Sequence, residues 1–204
     1  NGFGIYTALD FRQKNTNWIR RNFSINGVKM QKELNGQVCY SLETIPQRKK
    51  SICTSRSFSK DINELIKLKE VVSSYANNCA VKLRELKICC YTITVFLSTN
   101  VFNKSIKQSY PYRRFNLDVP TNDSIEIVRF ALKGLDEIFQ SDCTYKKAGV
   151  IVGKTIPESQ VQLSLFDKLD RNKRRDINLV VDTINKKWGR NKVKLAVEGK
   201  SRSW

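Results

Sequence analysis

The chain has 204 residues, 40% of them hydrophobic and 10% aromatic, enough for one or two domains with real cores and too apolar for a disordered polymer. No apolar run approaches the ~18 residues of a membrane helix, and the start NGFGIY has neither a Met nor a secretory leader, so the sequence reads as a fragment of something longer. Thirty-seven Lys and Arg against nineteen Asp and Glu leave +18, which points to a polyanion, nucleic acid first, with a solubilising or ribosome-like surface as the bland alternative.

Residues 1–42 read as helical, anchored by Leu9, Phe11, Trp18, Ile19 and Phe23, with Gly27 and Gly36 as punctuation and a second short helix over Val28–Leu34. Residues 43–50, ETIPQRKK, read as a linker. Ser51–Phe58 reads as a strand. From about Asn63 to Lys87, apolar residues recur at three and four, a long amphipathic helix capped by Asp61 or Asn63. Ile88–Thr99 alternates with period two: Cys89, Tyr91, Ile93, Val95 and Leu97 seek cover, while Cys90, Thr92, Thr94, Phe96 and Ser98 suit water or a polar partner. Tyr110–Val119 alternates in the same way, Phe115, Leu117 and Val119 against Tyr112, Arg114 and Asn116. Pro120 and the TND that follows stop it and start a helix with Ile125, Val128, Leu132, Leu135 and Phe139 as its stripe. Lys147–Val152 is the last strand. The order βαββαβ is an α+β, ferredoxin-like pattern: four antiparallel strands, two helices on one face, the other face open and carrying Thr92, Thr94, Ser98 and Arg114.

After Gly153 the pattern changes. QLSLF, Gln162–Phe166, is an apolar island among polar residues, either a short strand tucked against the sheet or a peptide that something covers. A charged run over 168–175 precedes a helix through Ile177, Val180, Val181, Ile184 and Trp188, ended by Gly189; Val193, Leu195 and Val197 alternate as a short strand. The six cysteines show no CxxC spacing and there is no histidine, so they read as buried free thiols of a reducing, cytoplasmic compartment.

QLSLF resembles the peptide by which bacterial polymerases and repair proteins dock on the β sliding clamp, with Leu165 and Phe166 filling an apolar pocket, Leu163 beside them and Gln162 making a polar contact. The likeness extends further. Arg56-Ser57-Phe58 within CTSRSFSKDI, YANNCAVKLR, YKKAGV, GIYTALDF, ELNG and VVDTINKKWGRNKVKLAVEG are similar to UmuC-type Y-family translesion DNA polymerases, in family order over nearly the whole chain. That resemblance implies a helical thumb remnant (1–42), a linker (43–50), a βαββαβ little finger domain that binds DNA (51–153) and a C-terminal extension with the clamp peptide (154–204). It implies primer-template DNA and the β clamp as partners, and extends to a UmuD-type accessory protein and a recombinase filament.

The nucleotidyl transfer of such polymerases uses metal-binding carboxylates in an SxDE-like motif, which is missing here. Asp136-Glu137 falls on a helix, where neighbours point about 100° apart, and reads as a solvated face. The fragment is therefore expected to be non-catalytic and without a cofactor, the parent polymerase using magnesium. Its expected DNA contacts are phosphate clamps rather than base readers: Lys146 and Lys147 on the last strand, Arg56 with Ser55 and Ser57 on the first, Arg113 or Arg114, and the hydroxyls of Thr92 and Thr94. The basic cluster Lys186, Lys187, Arg190 and Lys192 fits DNA or a protein partner equally. An RNA-binding module shares the element order but stacks bases through an aromatic strand motif that neither middle strand carries. A partner-bound scaffold without nucleic acid would leave +18 unexplained.

Overall fold

The computed structural model describes residues 2–42, 48–165, 167 and 169–199, in two compact units, residues 1–48 and 49–204. Most of the linker expected over 43–50, residues 43–47, lies outside the described residues.

The first unit holds α1 (Ala8–Gln13) and α2 (Thr16–Leu34). Thr7 and Asp10 cap α1 reciprocally: Asp10 N donates to Thr7 Oγ1 at 3.1 Å, and Thr7 N to Asp10 Oδ2 at 2.9 Å. The expected break at Gly27 is absent. The kink sits at Ser24 (φ 60°), and Gly27 lies inside the helix where a Cβ would fall 2.5 Å from Phe23 Cβ. Gly36, at φ +79°, does follow the helix end.

The second unit contains β1 (Ser51–Ile62), α3 (Leu65–Glu85), β2 (Ile88–Ser98), β3 (Tyr112–Thr121), α4 (Ser124–Ile138), β4 (Tyr145–Pro157) and α5 (Arg171–Trp188). The strands form one antiparallel sheet in the order β1-β4-β2-β3. β1 and β2 flank β4, and β3 and β4 flank β2, so two split β-α-β units interleave. Both helices lie on one side. Leu68, Val72, Cys79 and Leu83 of α3 and Ile127, Ala131 and Leu135 of α4 share a single buried cluster with Ile93, Val95, Leu97, Ala148, Val150 and Val152. α4 packs closely on the sheet at Gly134, where a Cβ would meet Phe115 at 3.0 Å and Val95 Cβ at 3.6 Å. The expected α+β architecture, βαββαβ order and one-sided helices are all present.

Several local expectations fail for identifiable reasons. The alternation of β2 changes parity: Cys90 joins the core with Ile93, Val95 and Leu97, whereas Cys89 does not. The β2–β3 register shifts between Cys90 and Thr92, and Lys154, facing this stretch from β4, takes φ +50°. Neither Asp61 nor Asn63 caps α3; Glu64 holds the cap position without a side-chain capping bond to the helix backbone, and Asp61 belongs to β1. Pro120 lies inside β3, and Ile125 of the expected α4 stripe is exposed while Ile127 is fully buried. β4 continues past Gly153 to Pro157, and residues 196–198 form a 3₁₀ turn rather than a strand.

The segment after β4 packs on the body through charge. Arg171 donates to Glu126 at 2.6 Å and to Asp167 at 2.7 Å, Arg174 pairs with Asp123 at 3.1 Å, and Asn178 donates to Asp123 at 2.7 Å. Arg84 of α3 grips Asp182 through two hydrogen bonds, 2.6 and 2.8 Å. Arg171, Arg174, Asn178 and Asp182 recur along one side of α5, so its polar stripe faces the protein. Ile177, Val180 and Trp188 stay exposed, while Asn178 is buried.

Asp123 is the hub of this attachment, because it also caps α4 by accepting from Glu126 N at 3.0 Å. Asp123→Ala removes a cap worth about 0.5–2 kcal/mol and two further hydrogen bonds worth about 1 kcal/mol each. A lowered urea midpoint is expected, with amide exchange accelerated in α5 while α3 stays protected. Unchanged exchange in α5 would show that this carboxylate does not hold the tail.

Candidate nucleic-acid interface

Directly opposed residues of a sheet share a face, so the registers define the surface turned away from the helices. Four rows cross it: Ser57, Lys147 and Ser98; Ser55, Gly149, Phe96 and Tyr112; Cys53, Ile151, Thr94 and Arg114; Ser51, Gly153, Thr92 and Asn116. None of these fifteen residues is acidic, and two are cationic.

The rows separate the expected contact residues. Ser55, Ser57, Thr92, Thr94, Arg114 and Lys147 lie on this open face. Arg56 and Arg113 do not, and Lys146 belongs to none of the four rows. Arg56 is paired with Ala148 and Arg113 with Val95, both on the helix side. Arg113 is bound to Glu137 of α4 at 2.6 Å, and Lys146 sits 3.4 Å from Asp61 and donates to Ser59 O at 3.2 Å. Strand alternation sends neighbours to opposite faces, so each adjacent basic pair contributes one cation to the surface. The acidic pair of α4 is engaged as well: Glu137 by Arg113, and Asp136 by Lys69 at 2.8 Å.

Thr92 and Thr94 are on the face yet each only 6% exposed. Thr94 Oγ1 accepts from Arg114 Nε at 3.1 Å, which fixes the guanidinium over the strand. These threonines therefore support the cation rather than reach outward. Lys147 Nζ lies 6.0 Å from the centroid of the Phe96 ring, within cation–π range. Phe96 in turn extends across β4: a Cβ at Gly149 would fall 2.3 Å from its Cζ and 2.6 Å from Ser55 Cβ. Only a glycine leaves room for that ring.

Sequence reading missed Phe96 and Tyr112 as parts of the site, although both belong to the alternating sets that turned outward. It also placed all the thiols in the interior. Cys79, Cys89, Cys90 and Cys143 are buried, but Cys53 is exposed on the open face. Burial pushes the Cys89 thiol up to about 12, with the neighbouring Glu158 adding to it, and raises Cys90 further.

The apolar island does not tuck against the sheet as a strand. Residues 161–164 have no regular structure, Gln162 is exposed, Leu163 is 60% exposed and Leu165 fully so. Phe166 lies outside the described residues.

Comparison with known proteins gives the chain its relatives. A model of the impB/mucB/samB family C-terminal domain matches residues 49–165, and a domain of unknown function (DUF4113) matches residues 175–204. Protein ImpB of Salmonella typhimurium is 34% identical over all of this chain and 48% of its own length. Protein UmuC of Salmonella typhimurium is 33% identical over all of this chain and 49% of its own. DNA polymerase IV of Clostridium acetobutylicum is 21% identical, covering 97% of this chain and 48% of that protein. A solved Y-family DNA polymerase chimera of Dbh and Dpo4 matches 77% of this chain and 43% of its own at 15% identity, with a TM-score of 0.47. The chain spans about half the length of the curated relatives it matches. With a family model covering more than half of its residues, this chain belongs to the impB/mucB/samB family and carries that family's C-terminal domain.

Proposed function

We propose that this chain is the part of an error-prone translesion DNA polymerase that grips primer-template DNA and tethers the enzyme to a sliding clamp. The observation that carries the reading is the open sheet face, whose four paired rows hold no acidic side chain and carry Lys147 and a pre-set Arg114. Cations over a bed of hydroxyls bind phosphate without regard to base sequence, as a polymerase requires. Family membership and the name of one relative, DNA polymerase IV, support the DNA-repair setting. Nucleotidyl transfer, with its magnesium, is assigned to a catalytic domain of the parent protein rather than to these residues. No helix of the described residues is long and apolar enough to cross a membrane, and a cytoplasmic location fits DNA as substrate.

Tethering is assigned to Gln162, Leu163, Leu165 and Phe166. Leu163 and Leu165 stand in water on irregular backbone, the state a linear docking peptide needs before a partner's pocket covers it. A UmuD-type accessory protein and a recombinase filament are further partners under this reading.

Salt titration of primer-template affinity tests the grip. Neutralising one phosphate-binding cation flattens the log-log slope by about 0.9, so Lys147→Gln with Arg114→Gln should flatten it by about two. The native chain also reports the face directly: iodoacetamide should alkylate exposed Cys53 ahead of the four buried thiols, and bound DNA should slow that reaction. Unaltered Cys53 alkylation at saturating DNA would place the DNA elsewhere. Tethering separates from the grip: Leu165→Ala with Phe166→Ala should abolish capture by immobilised β clamp and leave DNA affinity intact. Retained capture would sink the peptide assignment.

A further inference from the structure

Phosphate binding accounts for the cations of the open face but not for its aromatic rings. Phe96 and Tyr112 occupy opposed positions on β2 and β3, yet the Phe96 ring reaches over Gly149 on the far side of its strand. A shallow, mostly apolar hollow of about 450 Å³ opens on this part of the face. Ile151 contributes to its floor, Tyr110 and Tyr112 line it, and Arg114 and Lys147 supply its charge. Tyr112 is 69% exposed and Tyr110 53%. The Tyr110 hydroxyl donates to Gln108 Oε1 at 2.7 Å, so that ring is held in place.

A duplex presents sugar and phosphate to such a surface, with no planar apolar group to cover the rings. An unpaired base presents one, joined to a phosphate that a neighbouring cation can take. Exposed aromatic side chains beside a cationic track are the composition of single-strand binding surfaces, where stacking is indifferent to base identity. We infer that this hollow is a stacking site for an unpaired base of single-stranded DNA, with Tyr112 as the stacking ring and Arg114 and Lys147 holding the flanking phosphates. The inference rests on the nucleic-acid reading of the same face and adds the strand state it selects.

The test uses the 204-residue chain, an oligothymidine about ten nucleotides long carrying one 2-aminopurine, and a blunt duplex. Binding of the oligomer should quench the 2-aminopurine. Tyr112→Leu, a change at an exposed position, should weaken oligomer binding by about fivefold to a hundredfold and abolish the quench, with a clearly smaller loss on the duplex. Tyr112→Phe should keep both. Equal losses on oligomer and duplex, or no loss on the oligomer, would overturn the stacking site. Lys147→Gln with Arg114→Gln distinguishes the two levels. If that pair weakens duplex binding while Tyr112→Leu is silent, only the stacking site fails; if the pair changes neither ligand, the grip by this face fails with it.

Discussion

Both helices cross the same side of the β1-β4-β2-β3 sheet, so every strand has one row of side chains against hydrocarbon and one against water. The interior row makes the fold. Val72, Leu83, Ile93, Val95, Leu135 and Val150 are fully buried or nearly so, and each such side chain contributes on the order of 1.5–3 kcal/mol through burial. The exterior row is then released from packing duty and can be chosen for chemistry. What distinguishes this molecule is how that second row is filled.

It is filled with small hydroxyls, two glycines, two aromatic rings and two cations, with Cys53, Ile151 and Asn116 among them. Glycines at 149 and 153 lower the centre of the sheet, and Phe96 uses the first of them as a seat. Thr94 commits its hydroxyl to Arg114, orienting a guanidinium that would otherwise lose rotamer freedom on meeting a phosphate. The Arg114 guanidinium is thus oriented before any ligand arrives. Two acidic residues of this unit are engaged by neighbouring cations: Glu137 by Arg113, and Asp61 by Lys146.

Element order was legible because period two and period 3.6 are strong signals in Ile88–Thr99 and in α3, and the family likeness spanned them. Strand order was not, since it depends on which non-local edges pair. Face assignment in β2 failed around Tyr91, where the β2–β3 register shifts and the core side passes from Cys90 to Ile93; alternation cannot reveal a register break that has no turn signal of its own. Adjacent basic pairs carried a similar ambiguity. Arg113-Arg114 and Lys146-Lys147 guarantee one outward cation each, but the register decides which. Arg56 had no such neighbour, and its face became clear only from its pairing with Ala148.

The docking of α5 reverses the usual amphipathic arrangement, polar side inward and Ile177, Val180 and Trp188 outward. An attachment made of Arg84–Asp182, Arg171–Glu126 and Arg174–Asp123 contacts responds to its medium differently from the core beneath it. Rising ionic strength screens partly exposed ion pairs and leaves hydrophobic burial intact. The C-terminal helix is therefore a separable layer: conditions or polyelectrolytes that compete for its arginines can loosen it from a sheet domain that stays folded, and peeling it away would cost the central hydrocarbon core almost none of its cover.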